Sequence, residues 1–242
     1  MPQLSADASG DDVSSPGLRA RNIRARRQKI LHSARLLLSE GGLSALSMRK
    51  LAEKASLSVN TLYNLWGTRE EILHALTLDA AEQMRASLPV DESPEDPVER
   101  CLFLVGASIR GLCDQKDLFR PMILAWLEGA IAGNSTPVEP MQYSIGRVSR
   151  LIEIARRQGL VSYPGKADQI AGQIQHGIQF AFIQWALGRI DDSHFEARAL
   201  YGANLAFLGL VSEDRRPEIQ NALKRLERRL KVPGVTSFKE TA

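Results

Sequence analysis

The chain has 242 residues, 44% of them hydrophobic and 24% charged, a composition that excludes collagen-like and grossly disordered proteins. Cys101 and Cys113 do not form a CxxC pair, so we expect buried helix residues in a cytoplasmic protein and neither a disulfide framework nor a metal site. The net charge of +3 is unevenly distributed, because residues 19–54 hold ten Lys or Arg against two acids.

The first predicted helix follows a polar tail. Residues 1–18 lack the apolar core of a signal peptide and are interpreted as disordered. The segment RARNIRARRQK then begins a helix that ends at Gly41-Gly42. Its bases, among them Arg24 and Arg26, form either an ordinary solvated face or an arm that binds a polyanion.

Three helix starts follow in close succession. Ser47 caps a helix through MRKLAEKA, and Ser58 caps a short helix that ends at Gly67. Thr68 and Glu71 form a capping box that begins a long helix ended by Pro89. Two helices joined by a tight turn predict a helix-turn-helix within a domain of residues 19–88.

Two of these helices lack the acids that the positive end of a helix favours. Arg49 and Lys50 stand in the first turn after Ser47, at a cost of roughly a few tenths of a kcal/mol each unless a phosphate binds there. Taken alone, these two residues fit an ordinary surface helix equally well. The basic arm and the polar residues of the short helix favour DNA binding. The predicted contacts are Arg24, Arg26, Ser47, Arg49, Lys50, Ser58, Asn60, Thr61, Tyr63, Asn64 and Arg69.

The segment from Arg27 to Leu76 resembles the DNA-binding domain of TetR-family transcriptional regulators. The landmarks Ala52, Leu57-Ser58, Thr61-Leu62-Tyr63 and Glu70-Glu71-Ile72 fall at the spacing of that family. The resemblance implies an all-α homodimer whose N-terminal domains enter successive major grooves of a palindromic operator. It also implies C-terminal helices that dimerise and enclose a small-molecule pocket.

The same resemblance assigns roles to individual residues. It implies recognition contacts by Thr61 and Tyr63, a phosphate contact by Ser47, and a phosphate contact by Arg69 where the family more often has Lys. The chain departs from the family pattern at three positions: Ser56 stands for the usual turn Gly, Trp66 for Phe, and Asn60 for a small residue. A positive φ at Ser56 would strain the backbone.

An acidic, proline-rich break, PVDESPEDPVER, separates these helices from the rest of the chain. We predict further helices over residues 97–113, 118–132, 141–158, 168–188 and 194–211. They form a helical ligand-binding and dimerisation domain over 97–212. A basic amphipathic helix and tail occupy residues 213–242.

The uncharged run from Gln169 to Gly188 is long enough to suggest a membrane span, but its glutamines and His176 argue against one. A helix that pairs with the following helix across a two-fold axis is the better interpretation, and no membrane partner is expected. The predicted dimer interface consists of Ile170, Ile174, Gly177, Ala181, Trp185, Tyr201, Leu205 and Leu208.

A second face of the same helix mixes amides with apolar side chains, and buried glutamines need hydrogen-bond partners. With aromatic residues from earlier helices, this face predicts a pocket, although an ordinary bundle core would have the same composition. The predicted lining residues are Phe103, Phe119, Met122, Trp126, Tyr143, Gln173, His176 and Phe180. No Arg or Lys lies on the mixed face, so we expect a neutral or weakly polar effector.

Catalysis is not indicated. The four histidines lie on four different predicted segments, and neither an HExxH nor a GxSxG motif is present. We therefore predict no enzyme, no cofactor and no metal site. The predicted function is a ligand-responsive regulator, a repressor that binds duplex DNA as a homodimer and is released by a small, mostly apolar effector. The alternative is a nucleoid or cell-division factor on the same fold that acts through protein partners.

Overall fold

A computed structural model describes residues 16–90, 92–131 and 139–230, and over these residues the protein is all-α, as predicted. The predicted tails at 1–15 and 231–242 lie outside the described residues. The helices are α1 (Pro16–Ala45), α2 (Met48–Ala55), α3 (Val59–Trp66), α4 (Arg69–Ala86), α5 (Pro97–Asp114), α6 (Lys116–Ile131), α7 (Glu139–Arg157), α8 (Ala167–Ala186), α9 (Asp192–Leu208) and α10 (Arg216–Leu230).

The first four helices surround a small apolar core. Its fully buried members include Ile30, Leu38, Leu51, Leu62 and Ile72, one or two from each helix. In α1 the backbone leaves helical geometry at Gly41 and Gly42, where the sequence predicts a stop. Gly42 has φ 62°, a conformation that side chains with a Cβ rarely adopt.

The predicted caps are confirmed in α2, α3 and α4. The Ser47 hydroxyl accepts from the backbone N–H of Lys50 at 3.3 Å, and Thr68 forms the reciprocal capping box with Glu71. The turn between α2 and α3 passes through Ser56, which has φ 55° and ψ 48°. A serine therefore occupies a left-handed position that favours glycine, so this turn is strained as expected.

Helices α5 to α9 form the second half of the molecule, and α6 packs against α1, so that the two cores are continuous. The rings of Phe182, Trp185 and Phe195 stack with centroid separations of 5.2 to 5.7 Å. The indole Nε1 of Trp185 donates to Asp192 Oδ1 at 2.7 Å, which joins the end of α8 to the start of α9. Helix α10 packs along α9 through Ile219, Leu223 and Leu226.

Three predicted interface residues on α8 are corrected by this packing. Ile174, Ala181 and Trp185 are buried inside the protomer, Trp185 completely, so they are unavailable to a second chain. These three residues lie on the parts of α8 that pack against α6, α7 and α9 within the protomer. Periodicity shows that a helix has an apolar face, but it does not show which neighbour covers that face.

None of the helices in the described parts of the chain is long and apolar enough to cross a membrane, including α8 with its uncharged run. Cys101 is buried and Cys113 is partly buried, both on α5, and neither forms a disulfide. Burial raises the pKa of each thiol to about 12, so both are unreactive helix residues at neutral pH.

Candidate DNA-binding face and ligand cavity

Helix α3 is divided into a buried side and an exposed polar side. Leu62 is fully buried, while Leu65 and Trp66 pack against the core. Asn60 and Asn64 are exposed, and Tyr63 is 50% exposed with its ring on the surface. An eight-residue helix that presents amides and a phenol to solvent has the length and chemistry to read base edges in a major groove.

Ser58 and Thr61 hold the start of this helix together. The Ser58 hydroxyl accepts from the backbone N–H of Thr61 at 3.1 Å, and the two side-chain oxygens lie 2.7 Å apart. Both residues were predicted to contact DNA. The structure shows that their hydroxyls also bond to each other, which fixes where α3 begins.

Four basic side chains of α1 and α2, all predicted DNA contacts, are exposed. Arg49 and Lys50 are exposed in the first turn of α2, and neither forms an ion pair among the described residues. Arg24 and Arg26 are exposed on the N-terminal part of α1. The first turns of α2 and α3 contain no acid, so no carboxylate in those turns compensates the unpaired backbone N–H groups at the helix starts or the charges of Arg49 and Lys50.

Two other arginines have structural contacts that the sequence did not reveal. The Nη2 of Arg69 donates to the carbonyl of Leu43 at 2.9 Å, tying the start of α4 to the last residues of α1. The Nε of Arg27 donates to the carbonyl of Leu65 at 3.2 Å, and its guanidinium lies 5.2 Å from the centroid of the Trp66 ring. The phosphate contact predicted for Arg69 remains a prediction.

A cavity of about 230 Å³ lies between α4, α5, α6, α7 and α8. Its walls are mostly apolar, with a few polar groups, which is the composition of a small-molecule site. The lining residues are Thr77, Ala81, Met84, Arg85, Leu88, Val105, Ser108, Ile109, Leu112, Phe119, Met122, Ile123, Trp126, Met141, Tyr143, Ser144, Arg147, Val148, Gln175, Ile178, Gln179, Phe182 and Ile183.

Half of the predicted lining residues are present in this wall and half are not. Phe119, Met122, Trp126 and Tyr143 line the cavity. The other four are not part of this wall: Phe103 packs in the core shared with α7 and α9, while Gln173, His176 and Phe180 are exposed on α8.

The side of α8 that faces the cavity carries Gln175, Ile178, Gln179, Phe182 and Ile183. The predicted interface face of α8 is therefore partly buried within the protomer, and the three predicted cavity residues of α8 lie outside the cavity wall. Both faces combine amides with apolar groups, so composition alone did not distinguish them.

The cavity also contains two arginines that the sequence analysis missed. Arg85, on α4, forms an ion pair with Glu82, and its guanidinium lies 4.7 Å from the centroid of the Tyr143 ring. Arg147, on α7, donates from Nη2 to the hydroxyl of Ser108 at 3.3 Å. The expectation of a neutral effector rested on the absence of Arg and Lys from one face of α8, whereas α4 and α7 place Arg85 and Arg147 in the cavity wall.

An exposed apolar surface lies on the side of α8 and α9 away from the cavity. Phe180 is 63% exposed and Leu205 is 53% exposed, and Leu187 and Gly177 are exposed as well. Tyr201, Leu208 and Ile170 are partly exposed. Several exposed apolar side chains on two neighbouring helices are a candidate surface for binding another protein.

Residues 30–76 match the sequence profile of bacterial regulatory proteins of the tetR family. The match covers most of α1, all of α2 and α3 and the start of α4, and it confirms the resemblance identified in the sequence. A search of curated proteins finds no match. Within the described residues, no group of His, Cys, Asp or Glu side chains is arranged to hold a metal ion.

Solved structures share the fold of most of the chain. A TetR-family transcriptional regulator from Pectobacterium atrosepticum has a TM-score of 0.66 at 23% identity, covering 80% of this chain and 97% of that one. A TetR transcription regulator from Haloarcula marismortui has a TM-score of 0.65 at 16% identity, covering 77% and 99%. A gamma-butyrolactone receptor, described as ArpA-like, has a TM-score of 0.52 at 21% identity, covering 86% and 98%. The chain therefore has the fold of TetR-family transcriptional regulators.

Proposed function

We propose that this protein is a ligand-responsive transcriptional repressor that binds a palindromic DNA operator as a homodimer. The observation that carries the proposal is the exposed polar side of α3, with Asn60, Tyr63 and Asn64, together with the exposed Arg49 and Lys50 in the first turn of the preceding helix α2. The match of residues 30–76 to the tetR family supports the same reading. Phosphate contacts by the cations would position α3, and its polar side chains would read the bases.

We propose that the exposed apolar surface of α8 and α9 pairs with itself in a second copy. A two-fold interface brings the same surface of each protomer together, so Phe180 and Leu205 of each chain would be covered by their equivalents or neighbours. The four helices would then form a bundle. Two α3 helices held at a fixed separation require a DNA site with two-fold symmetry.

The cavity is proposed to hold the effector. Helix α4 begins directly after α3 and contributes Thr77, Ala81, Met84 and Arg85 to the cavity wall, so a molecule bound there touches the helix that carries the DNA-binding domain. An effector lowers DNA affinity only if it binds the conformation that fits the operator less well than another conformation. Displacement of α4 would change the separation of the two α3 helices.

Selection from a library of randomised duplexes with the purified full-length protein tests the DNA-binding part of the proposal. We expect enrichment of an inverted repeat whose half-sites are separated by about one helical turn or a multiple of it. A variant with Asn60 and Tyr63 both changed to Ala should lose the enrichment while its thermal unfolding is unchanged, because both side chains are exposed. The same enriched sequence for both proteins would reject α3 as the reading element.

A further inference from the structure

We propose that the cavity recognises a molecule with a single carboxylate on a mostly apolar body, and that Arg147 binds the carboxylate. The inference rests on the proposed effector role of the cavity and names the chemical class of its ligand. It follows from the sign of the charges in the cavity wall and from the contacts of each charged group.

The described lining residues include two arginines and no Asp or Glu. The charge of Arg85 is already compensated by the carboxylate of Glu82, and its guanidinium also stacks on the Tyr143 ring. Arg147 has no carboxylate partner among the described residues, and its hydrogen-bond acceptor is the neutral hydroxyl of Ser108. That hydroxyl in turn donates to the carbonyl of Leu104 at 2.7 Å. One positive charge in the wall is therefore left uncompensated.

Burial makes this arrangement costly when the cavity contains no anion. Desolvation by the surrounding apolar groups lowers the pKa of Arg147, although a guanidinium stays protonated at neutral pH. A group in such surroundings gains most from an ionised partner that accepts two parallel hydrogen bonds. A carboxylate has that geometry and brings one compensating charge.

The remaining lining residues define the rest of the ligand. Met122, Ile123, Trp126, Ile178 and Phe182 form apolar walls that suit an aliphatic or aromatic body. Gln175 and Gln179 on α8 offer amides to a further polar atom. A nucleotide or another multiply charged anion does not fit, because a single unpaired guanidinium leaves its additional charges uncompensated in an apolar cavity.

Calorimetric titration of the full-length protein with matched acid and alcohol pairs tests the inference. The probes are decanoic acid with decanol, and phenylbutyric acid with phenylbutanol. Charge-assisted hydrogen bonds predict that the wild type binds at least one acid roughly ten- to a hundredfold more tightly than its alcohol. Arg147→Gln should bind both members of that pair with the affinity of the alcohol, and Arg147→Lys should keep part of the preference.

Arg150→Gln is the matched control, because Arg150 lies on the same helix with its side chain exposed. It should behave as wild type. Alcohol binding by Arg147→Gln shows that the variant cavity is intact. Equal affinity for acid and alcohol in the wild type, an acid preference that survives in Arg147→Gln, or binding of no acid would each overturn the inference.

These titrations contain no DNA, so they separate the ligand class from the regulatory role. An acid that binds through Arg147 without changing operator affinity would sustain the carboxylate inference and remove the effector role of the cavity. If an alcohol or another neutral compound released the protein from DNA and acids did not, the effector role of the cavity would stand and the carboxylate inference would be rejected.

Discussion

At the scale of single residues, Arg49 slightly destabilises the free protein, and a bound DNA phosphate would offset this destabilisation. It stands exposed in the first turn of α2, where the partial positive charge of the helix end disfavours a cation by roughly a few tenths of a kcal/mol. A phosphate at the same place would turn this repulsion into a shared anion site formed by the backbone N–H groups and the guanidinium.

Arg49→Gln should therefore weaken operator binding without weakening the fold. Since one phosphate contact is lost in each protomer, the slope of log K against log salt should become shallower by about 0.9 per protomer. The midpoint temperature of thermal unfolding should be unchanged or slightly higher, because the unfavourable charge at the helix end is removed. Fluorescence anisotropy titrations over a range of salt concentrations measure the slope.

Arg150→Gln serves again as the control, because Arg150 is an exposed arginine on α7, outside the DNA-binding domain. Its salt slope should equal that of the wild type. Identical slopes for Arg49→Gln and the wild type would remove Arg49 from the DNA contact.

Residue identity predicted the DNA-binding domain better than the cavity, for a physical reason. Ser47, Ser58 and Thr68 act on backbone groups two or three residues away, so their roles are encoded locally and could be read from the sequence. Arg147 and Ser108 are far apart in the chain and meet only because α5 and α7 pack together. Trp185 was assigned to the surface of the protomer because no local pattern shows that Phe195 and Asp192 enclose it.

At the scale of helices, Asp96 joins the start of α5 to the segment that begins α10. Its Oδ1 accepts from the backbone N–H groups of Val98 and Glu99 at 2.8 and 2.9 Å, and its Oδ2 accepts from Arg215. Burial alone would raise the pKa of Asp96, but the hydrogen bonds from Glu99 and Arg215 outweigh it, so the pKa lies below the ordinary value of 3.8.

Because the folded-state pKa is depressed, the ionised Asp96 stabilises the fold above the unfolded value of 3.8 and this contribution is lost as the pH falls further. Asp96→Asn keeps a capping oxygen and removes the charge. It should lower the free energy of unfolding by about 1–2 kcal/mol at pH 7. In urea unfolding, the difference in free energy of unfolding between Asp96→Asn and the wild type should stay constant down to about pH 5. It should disappear as the pH falls below the unfolded pKa.

Asp117→Asn is the matched control, because Asp117 is an exposed carboxylate in the first turn of α6. It should differ from wild type by only a few tenths of a kcal/mol at any pH. If the free energy of unfolding of Asp96→Asn differed from that of the wild type by the same amount at pH 7 and pH 3, the charge of Asp96 would not contribute to stability.

The exposed side of α8 and α9 makes a separate prediction about assembly. Leu205 is 53% exposed in the protomer, so a charge placed there is tolerated by the isolated chain but buried if two chains pair through this surface. Leu205→Glu should sediment as a monomer while the wild type sediments as a dimer, with little change in the helical circular dichroism signal.

Gln220→Glu, an exposed change on α10, should leave the dimer intact. A dimer of Leu205→Glu as stable as that of the wild type would exclude this surface as the interface. A charge at Ala181 is a poor test, because that side chain is buried within the protomer and its replacement would unfold the chain.

At the scale of the whole molecule, the DNA-binding face and the cavity share α4, and α6 connects the cavity to α1. Phe119 and Met122 of α6 line the cavity and belong to the same apolar core as Ile30 and Leu38 of α1. A ligand in the cavity therefore contacts two helices that hold the DNA-binding domain. The sequence predicted both halves of the molecule, but not this connection, because it depends on packing between distant segments.

The DNA-binding role depends most directly on Tyr63, whose ring is 50% exposed on the proposed recognition helix. The chain contains a matched tyrosine, Tyr163, which is 49% exposed in the segment between α7 and α8. Replacing either with Ala removes the same ring from a similar degree of exposure, and only Tyr63 lies on α3. The two variants therefore separate a DNA contact from a general effect of losing a surface tyrosine.

The measurement is an anisotropy titration of the selected operator duplex with wild type, Tyr63→Ala and Tyr163→Ala at one fixed salt concentration. We predict that Tyr63→Ala binds at least about tenfold more weakly, which corresponds to about 1.4 kcal/mol, and that Tyr163→Ala binds like the wild type. Equal affinities for all three proteins would contradict the assignment of α3 as the helix that reads DNA.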